Sequence, residues 1–179
     1  MNKEIYCYKI NEADLQLLNT ITEALDITTY FLDDGMLKNT VQEILDHQAN
    51  ATSRCDQFDL SFMLLNNIDD EDLRTIHDQT AEKLTVDPVK MMVTEHNRQW
   101  QLAALFEEVS KEHRLFSNVE KIAALMKKLN DVDMSQWDNA KKESMKMTVM
   151  KAYILLNSGN FNEQNVEESL NELRELVGE

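Results

Sequence analysis

Glu4-Ile5-Tyr6-Cys7-Tyr8-Lys9-Ile10, EIYCYKI, is the stretch on which the fold turns. It is rich in aromatic and β-branched residues and alternates weakly, as a strand does. No other segment reads that way. A lone strand leaves its backbone N–H and C=O groups unpaired. It must either pair with its copy in a second chain, which would make a homodimer, or lie extended over helices. With no second strand in view, the extended arm is the preferred reading.

Outward from that arm the chain reads as helices. Only 3 Gly and 1 Pro occur in 179 residues, too few for the sharp turns that a sheet needs at its strand ends. Asn11 is a good N-cap, and Leu15, Leu18, Ile21, Leu25 and Phe31 make an apolar stripe over a first helix from about 12 to 32. Asp33-Asp34-Gly35 closes it, with Gly35 as a left-handed cap. Val41, Ile44, Gln48, Ala51, Cys55, Phe58, Phe62 and Leu65 then alternate steps of three and four. That pattern predicts one long helix over about 36–65, or two shorter ones broken near 50–53. A third helix follows at about 70–84. Thr85-Val86-Asp87-Pro88 is the clearest joint, with Asp87 capping and Pro88 at the first position of a helix over about 88–115. Ser117-Asn118-Val119-Glu120 has the capping-box pattern and predicts a fifth helix start. A sixth helix at about 136–157 and a seventh at about 162–177 complete the chain. No internal repeat of convincing period stands out.

The expected fold is therefore all-α, a helical bundle of about seven helices with a short extended N-terminal segment. Its expected parts are an acidic hairpin plus third helix over 1–87 and a four-helix half over 88–179, packed as one body.

Charge divides the chain in the same way. The formal net charge is −15. Residues 1–87 carry 18 acids against 6 Lys and Arg, a net of −12, whereas residues 88–179 carry 15 against 12, a net of −3. Such a surface repels phosphate, so neither direct nucleic-acid binding nor anionic membrane is expected, while a basic protein is an attractive partner. Cys7 and Cys55 show no ligand spacing and read as free thiols in a reducing compartment. The N-terminus reads as no signal peptide, and no apolar run reaches the ~18 residues of a span, which points to the cytoplasm.

The densest acidic stretch is Asp69-Asp70-Glu71-Asp72. As a calcium loop it fails, because the sixth and twelfth positions from Asp69 are Arg74 and Thr80 rather than Gly and Glu. As a helix start it explains its position, since carboxylates near exposed N–H groups each contribute about 0.3–1 kcal/mol. Four adjacent acids exceed that need, which leaves an interaction surface as the alternative. Asp33, Asp34, Asp56 and Asp59 form comparable clusters. These eight residues are the candidate partner-binding set.

Catalytic and metal signatures are missing. Residues three before His47, His77, His96 and His113 are Ile44, Arg74, Val93 and Ser110, so neither a zinc-protease nor a di-iron spacing occurs. His96 reads as a hydrogen-bonded residue on the apolar stripe of a helix. No nucleophile elbow, phosphate loop or dinucleotide fingerprint is present. No cofactor and no enzyme activity are expected. The function expected is that of a noncatalytic acidic module that docks on a basic, nucleic-acid-binding protein. One form is a mobile-element inhibitor of a host defence nuclease, of the DNA-mimic, anti-restriction or anti-CRISPR type. The alternative is a structural or chaperone-like helical adaptor that holds a partner helix in a Met-lined groove; Met91, Met92, Met145, Met147 and Met150 read first as flexible core filling and otherwise as such a groove.

Overall fold

The computed structural model describes residues 2–47, 54–130, 132, 134–135 and 137–178. The chain divides into two compact units, Met1–Ser110 and Lys111–Glu179.

The first unit is not all-α. It is built on a four-stranded mixed sheet, and EIYCYKI lies at its centre. Strand β1 (Glu4–Tyr8) leads through helix α1 (Glu12–Ala24) to β2 (Thr28–Leu32), which pairs parallel to β1. Strand β3 (Phe62–Asn66) leads through helix α3 (Asp70–Thr80) to β4 (Val89–Met92), again in parallel. Between β2 and β3 lies helix α2 (Val41–Leu45). Strands β1 and β3 run antiparallel, from Glu4 opposite Asn66 to Tyr8 opposite Phe62, so the order is β2-β1-β3-β4. Both edges of β1 are thus occupied within the chain, and the segment has no open edge for a second copy.

Each βαβ half repeats the other. Lys9 and Asn67 both follow the first strand in a left-handed conformation, at φ 55° and 56°. Asn11 and Asp69 then cap the helix by accepting from the N–H groups of Asp14 and Asp72. Ile10, Asp14, Leu15 and Thr22 recur as Ile68, Asp72, Leu73 and Thr80, each 58 positions on. The second strands are followed by a matching device. Asp33 accepts from the N–H of Met36, and Thr94 from that of Asn97. Thr40 then meets Gln101 in an antiparallel bridge. Val41 N–H donates to Trp100 O while Leu102 N–H donates to Asn39 O, both at 2.9 Å. Gln42 N–H donates to Arg98 O and Ala103 N–H to Leu37 O, also at 2.9 Å. Such reciprocal contacts are the mark of an isologous two-fold. Here the two-fold lies inside one chain, and it corrects the reading that no repeat is present.

The sheet has a core on each face. Ile5, Cys7, Met63 and Leu65 face one way with Leu18 of α1 and Ile76 of α3. Tyr6, Tyr8, Phe62 and Leu64 face the other with Val41 and Ile44 of α2 and the opening turns of helix α4 (Leu102–Asn130). This burial on both sides explains why β3 does not read as a strand. In β3, Phe62-Met63-Leu64-Leu65 is fully buried and has no polar alternation, so periodicity cannot distinguish it from a helix. The expected helix over 36–65 is replaced by a 3-10 turn (Asp34–Met36), α2 and β3; its predicted break near 50–53 lies outside the described residues. The helix expected to reach Leu32 ends at Ala24, with Asp26 left-handed just beyond. Pro88 does not begin a helix. It is buried beside the first residue of the edge strand β4, where its missing N–H breaks no ladder.

The second unit is helical. It comprises the later turns of α4 with helices α5 (Asn139–Ser158) and α6 (Glu163–Val177). Ile122, Leu125 and Leu129 pack with Met145 and Ala152 of α5 and with Val166, Leu170 and Leu173 of α6. Asp138 caps α5 and Asn162 caps α6. The capping-box pattern at Ser117–Glu120 starts no helix, since α4 runs through it unbroken.

Beyond the C-terminus of α3, Glu82 is exposed and left-handed at φ 61°. That conformation costs a side chain bearing a Cβ about 1 kcal/mol relative to glycine. The Glu82→Gly protein is expected to be more stable by about 0.5–1 kcal/mol in urea denaturation, with an unchanged circular dichroism spectrum.

Candidate functional site

The structure separates the eight acids into two groups. Asp33, Asp34 and Asp56 lie at the end of β2, which is also the Tyr8 end of β1, and Asp59, just before Phe62 of β3, lies at that end too. Asp69 to Asp72 follow β3, and therefore lie at the Glu4 end. A five-residue strand, about 13 Å long, separates the two ends. Several of the acids have structural partners. Asp34 accepts from the Tyr8 hydroxyl and from the backbone N–H groups of Asp56 and Gln57. Burial pushes its carboxyl up, but these hydrogen bonds outweigh burial and hold it below the usual range. Asp33 is a buried cap. Asp69 is the N-cap of α3, which is the helix-start role read from the sequence, and it binds Lys3 at 2.8 Å. The Lys3 contact and the Asp72 N–H hold the Asp69 carboxyl low. Asp72 is buried and also pairs with Lys3. Asp56, Asp59, Asp70 and Glu71 are exposed.

The two-fold draws attention to Asp14, the counterpart of Asp72. It is 4% exposed, and it accepts from the Thr85 N–H at 2.9 Å and the Thr85 hydroxyl at 3.1 Å. It thereby ties α1 to the loop that follows α3. Burial raises its carboxyl, but the Thr85, Asn11 and Val86 bonds prevail and hold it below the usual range.

A second polar cluster, which the sequence did not suggest, sits at the Glu4 end of the ladder. Glu4 is 6% exposed although it is a carboxylate in the central strand. Its Oε2 accepts from the Tyr6 hydroxyl at 3.1 Å and from Asn66 Nδ2 at 2.9 Å. Its Oε1 lies 3.8 Å from His47 Nε2. Among the described residues no Lys or Arg pairs with it. Asn66 is itself 6% exposed, and its Oδ1 is buried without a hydrogen-bond partner among the described residues. Tyr30 stacks on Tyr6 with ring centroids 5.0 Å apart, and His47 tilts over Tyr30 at 4.6 Å. His47 is placed there by a left-handed backbone, φ 54°, just past the end of α2. Its side chain is half exposed. Burial pushes the Tyr6 hydroxyl well above its ordinary range, and the Glu4 charge adds to the effect. The sequence signal was slight: Glu4 alternates with Tyr6 and Tyr8 on one face of an expected strand.

The remaining groups are quieter. Cys7 is buried and free, and burial pushes its thiol up to about 12; Cys55 is also free, half-buried and raised. Thiols so raised are poor nucleophiles. His96 is exposed in the turn before α4, edge-on to Trp100 at 5.4 Å, and not on a helical core stripe. No three His, Cys, Asp or Glu side chains converge in metal-binding geometry among the described residues. No described helix is long and apolar enough to cross a membrane.

In the second unit, Met145 is buried, but Met147, Met150, Tyr153 and Ile154 on α5 are 57–60% exposed. Their spacing of three and four places them along one side of the helix.

Residues 61–116 match the family model described as a domain of unknown function, DUF3783. The match covers β3, α3, β4 and the first turns of α4, which is the second of the two repeats. No curated protein and no solved structure matches the chain.

Asp14 supplies a pH test. A carboxyl whose folded value is lowered contributes stability that is present above its unfolded value, near 3.9, and is lost as pH falls through the folded value. Asp14→Asn is expected to cost about 2 kcal/mol at pH 7 by weakening charge-assisted bonds to Thr85. It should also flatten the fall in stability between about pH 5 and pH 2. Denaturant titrations across that range would show both effects.

Proposed function

We propose that the chain is a noncatalytic protein-binding module, and that its helical unit receives an amphipathic helix of a partner along the exposed face of α5. The observation that carries this reading is the row Met147, Met150, Tyr153 and Ile154. The opposite side of α5, with Met145 and Ala152, already fills the core of the unit. A helix that is apolar on both sides is normally packed on both sides. Methionine and tyrosine are suited to such a surface, one by adaptable shape and the other by large contact area. Lys142 and Lys146 precede Met150 at steps of four and line the same side. They favour a partner helix with acidic flanks. Two copies of this face would bring like charges together.

Selection of helical peptides from a display library on the full chain tests the reading. The expected binders carry apolar residues at steps of three and four with Asp or Glu beside them. Met150→Glu should weaken their binding about 30-fold, the loss of a ~2 kcal/mol anchor, with helix content unchanged. Peptides that bind the wild type and this variant equally would refute it.

The acidic half supports a second reading. Asp56, Asp59, Asp70 and Glu71 are exposed in a segment of net charge −12, and they suit a basic, nucleic-acid-binding partner of the kind a DNA-mimicking inhibitor blocks. Asp70→Asn with Glu71→Gln leaves the Asp69 cap and the Lys3 contacts in place, so the melting temperature should not change. Association with such a partner should slow most at low salt. An association rate equal to that of the wild type at low salt would return both residues to a role in the first turn of α3.

A further inference from the structure

The two-fold gives the Glu4 cluster an internal comparison. Its counterpart is the other end of the β1–β3 ladder, where Phe62 takes the place of Glu4 and Tyr8 that of Asn66. There Phe62 stacks on Phe106 with centroids 4.1 Å apart, and Phe106 meets Tyr8 edge-on at 5.2 Å. The same backbone position is therefore filled by an aromatic core in one half and by a buried carboxylate in the other. The fold does not require the charge. Burying a carboxylate without a firm cation is unfavourable, and an apolar residue of similar size is usually as stable or more so. A locally unfavourable choice of this kind is what a functional site leaves behind.

The chemistry of the cluster indicates what it lacks. Among the described residues, Glu4 supplies a carboxylate with one oxygen approached by His47 alone, at 3.8 Å. Asn66 supplies a second acceptor, Oδ1, that is buried without a hydrogen-bond partner among the described residues. Tyr30 is stacked on the buried Tyr6, and the half-exposed His47 lies over the Tyr30 ring. Acceptors backed by aromatic rings match a planar cation with several N–H donors, which can stack and donate at once. An ammonium ion is more strongly hydrated and cannot stack in this way. We propose that Glu4, Asn66, Tyr30 and His47 form a receptor for a single guanidinium group. The cation replaces His47 against the Glu4 carboxylate and against the Tyr30 ring. The group comes either from free arginine or from an arginine side chain of a protein, and the site is independent of the α5 face.

Titration of the full chain with free L-arginine, N-acetyl-arginine amide and L-lysine, followed by the NMR signals of the His47 and Tyr30 rings, tests the assignment. A ligand with so few atoms should saturate the site at about the millimolar level. Saturable shifts are expected with the arginine probes, and weaker or no saturation with lysine. If the acetylated amide binds as well as free arginine, the source is an arginine of a protein; if it binds less well, the source is the free amino acid. Glu4→Gln should lower affinity at least tenfold. The double variant Glu4→Leu, Asn66→Leu should abolish binding while keeping or raising the melting temperature, which separates loss of the site from loss of the fold. Equal responses to arginine and lysine, no saturable shift from any probe, or unchanged affinity in Glu4→Gln would overturn the proposal.

Discussion

The antiparallel ladder between β1 and β3 joins two βαβ halves whose own strands run parallel. Neither half has more than two strands by itself, and a two-stranded ribbon is marginal in water. Once the ladder forms, Ile5, Cys7, Met63 and Leu65 close one core and Tyr6, Tyr8, Phe62 and Leu64 close the other. The reciprocal bonds around Thr40 and Gln101 then lock the helices that follow. Partners in the ladder, such as Ile5 and Leu65, lie far apart in sequence. Loop closure over that distance must precede the burial that stabilises it, so the ladder carries a larger closure cost than the parallel pairing within either half.

The parts that could be read from the sequence are those governed by local chemistry. Asn11 and Asp69 cap helices through their own side chains, and α1 and α3 start where those residues predict; α5 and α6 fall close to their expected spans, behind the caps Asp138 and Asn162. The parts that could not be read depend on distant partners. β1 reads as a strand, but its partners β2 and β3 do not. Thr28–Leu32 continues an apolar helical stripe, and Phe62–Asn66 is apolar without alternation because both of its faces are buried. The repeat was hidden for a related reason. Ile10, Asp14, Leu15 and Thr22 recur at Ile68, Asp72, Leu73 and Thr80, but the later strands and helices recur 61 positions on, because the loop after α3 is longer. A search for one fixed period is blurred by that shift.

The candidate sites divide along the same line. An acidic run is conspicuous in sequence, yet in the folded chain Asp33, Asp34, Asp69 and Asp72 are largely occupied by caps, Tyr8 and Lys3. The Glu4 cluster has only a slight sequence signature, because its residues come from β1, β2, β3 and the end of α2. What exposes it is the mismatch between its burial and its chemistry. The α5 row was half visible: the methionines stood out, but which of them face the core and which face solvent depends on the packing of α4 and α6.

The internal two-fold also has an evolutionary consequence. In a symmetric dimer of identical subunits every substitution is made twice, so a change that creates a useful pocket at one end creates the same burden at the other. Joining both halves in one polypeptide removes that coupling. Assembly no longer depends on protein concentration. One end can keep Phe62 on Phe106 as a stabilising anchor while the other departs to Glu4 and Asn66. The division of labour between a rigid end and a chemically specialised end is open to a tandem protein and closed to its symmetric equivalent.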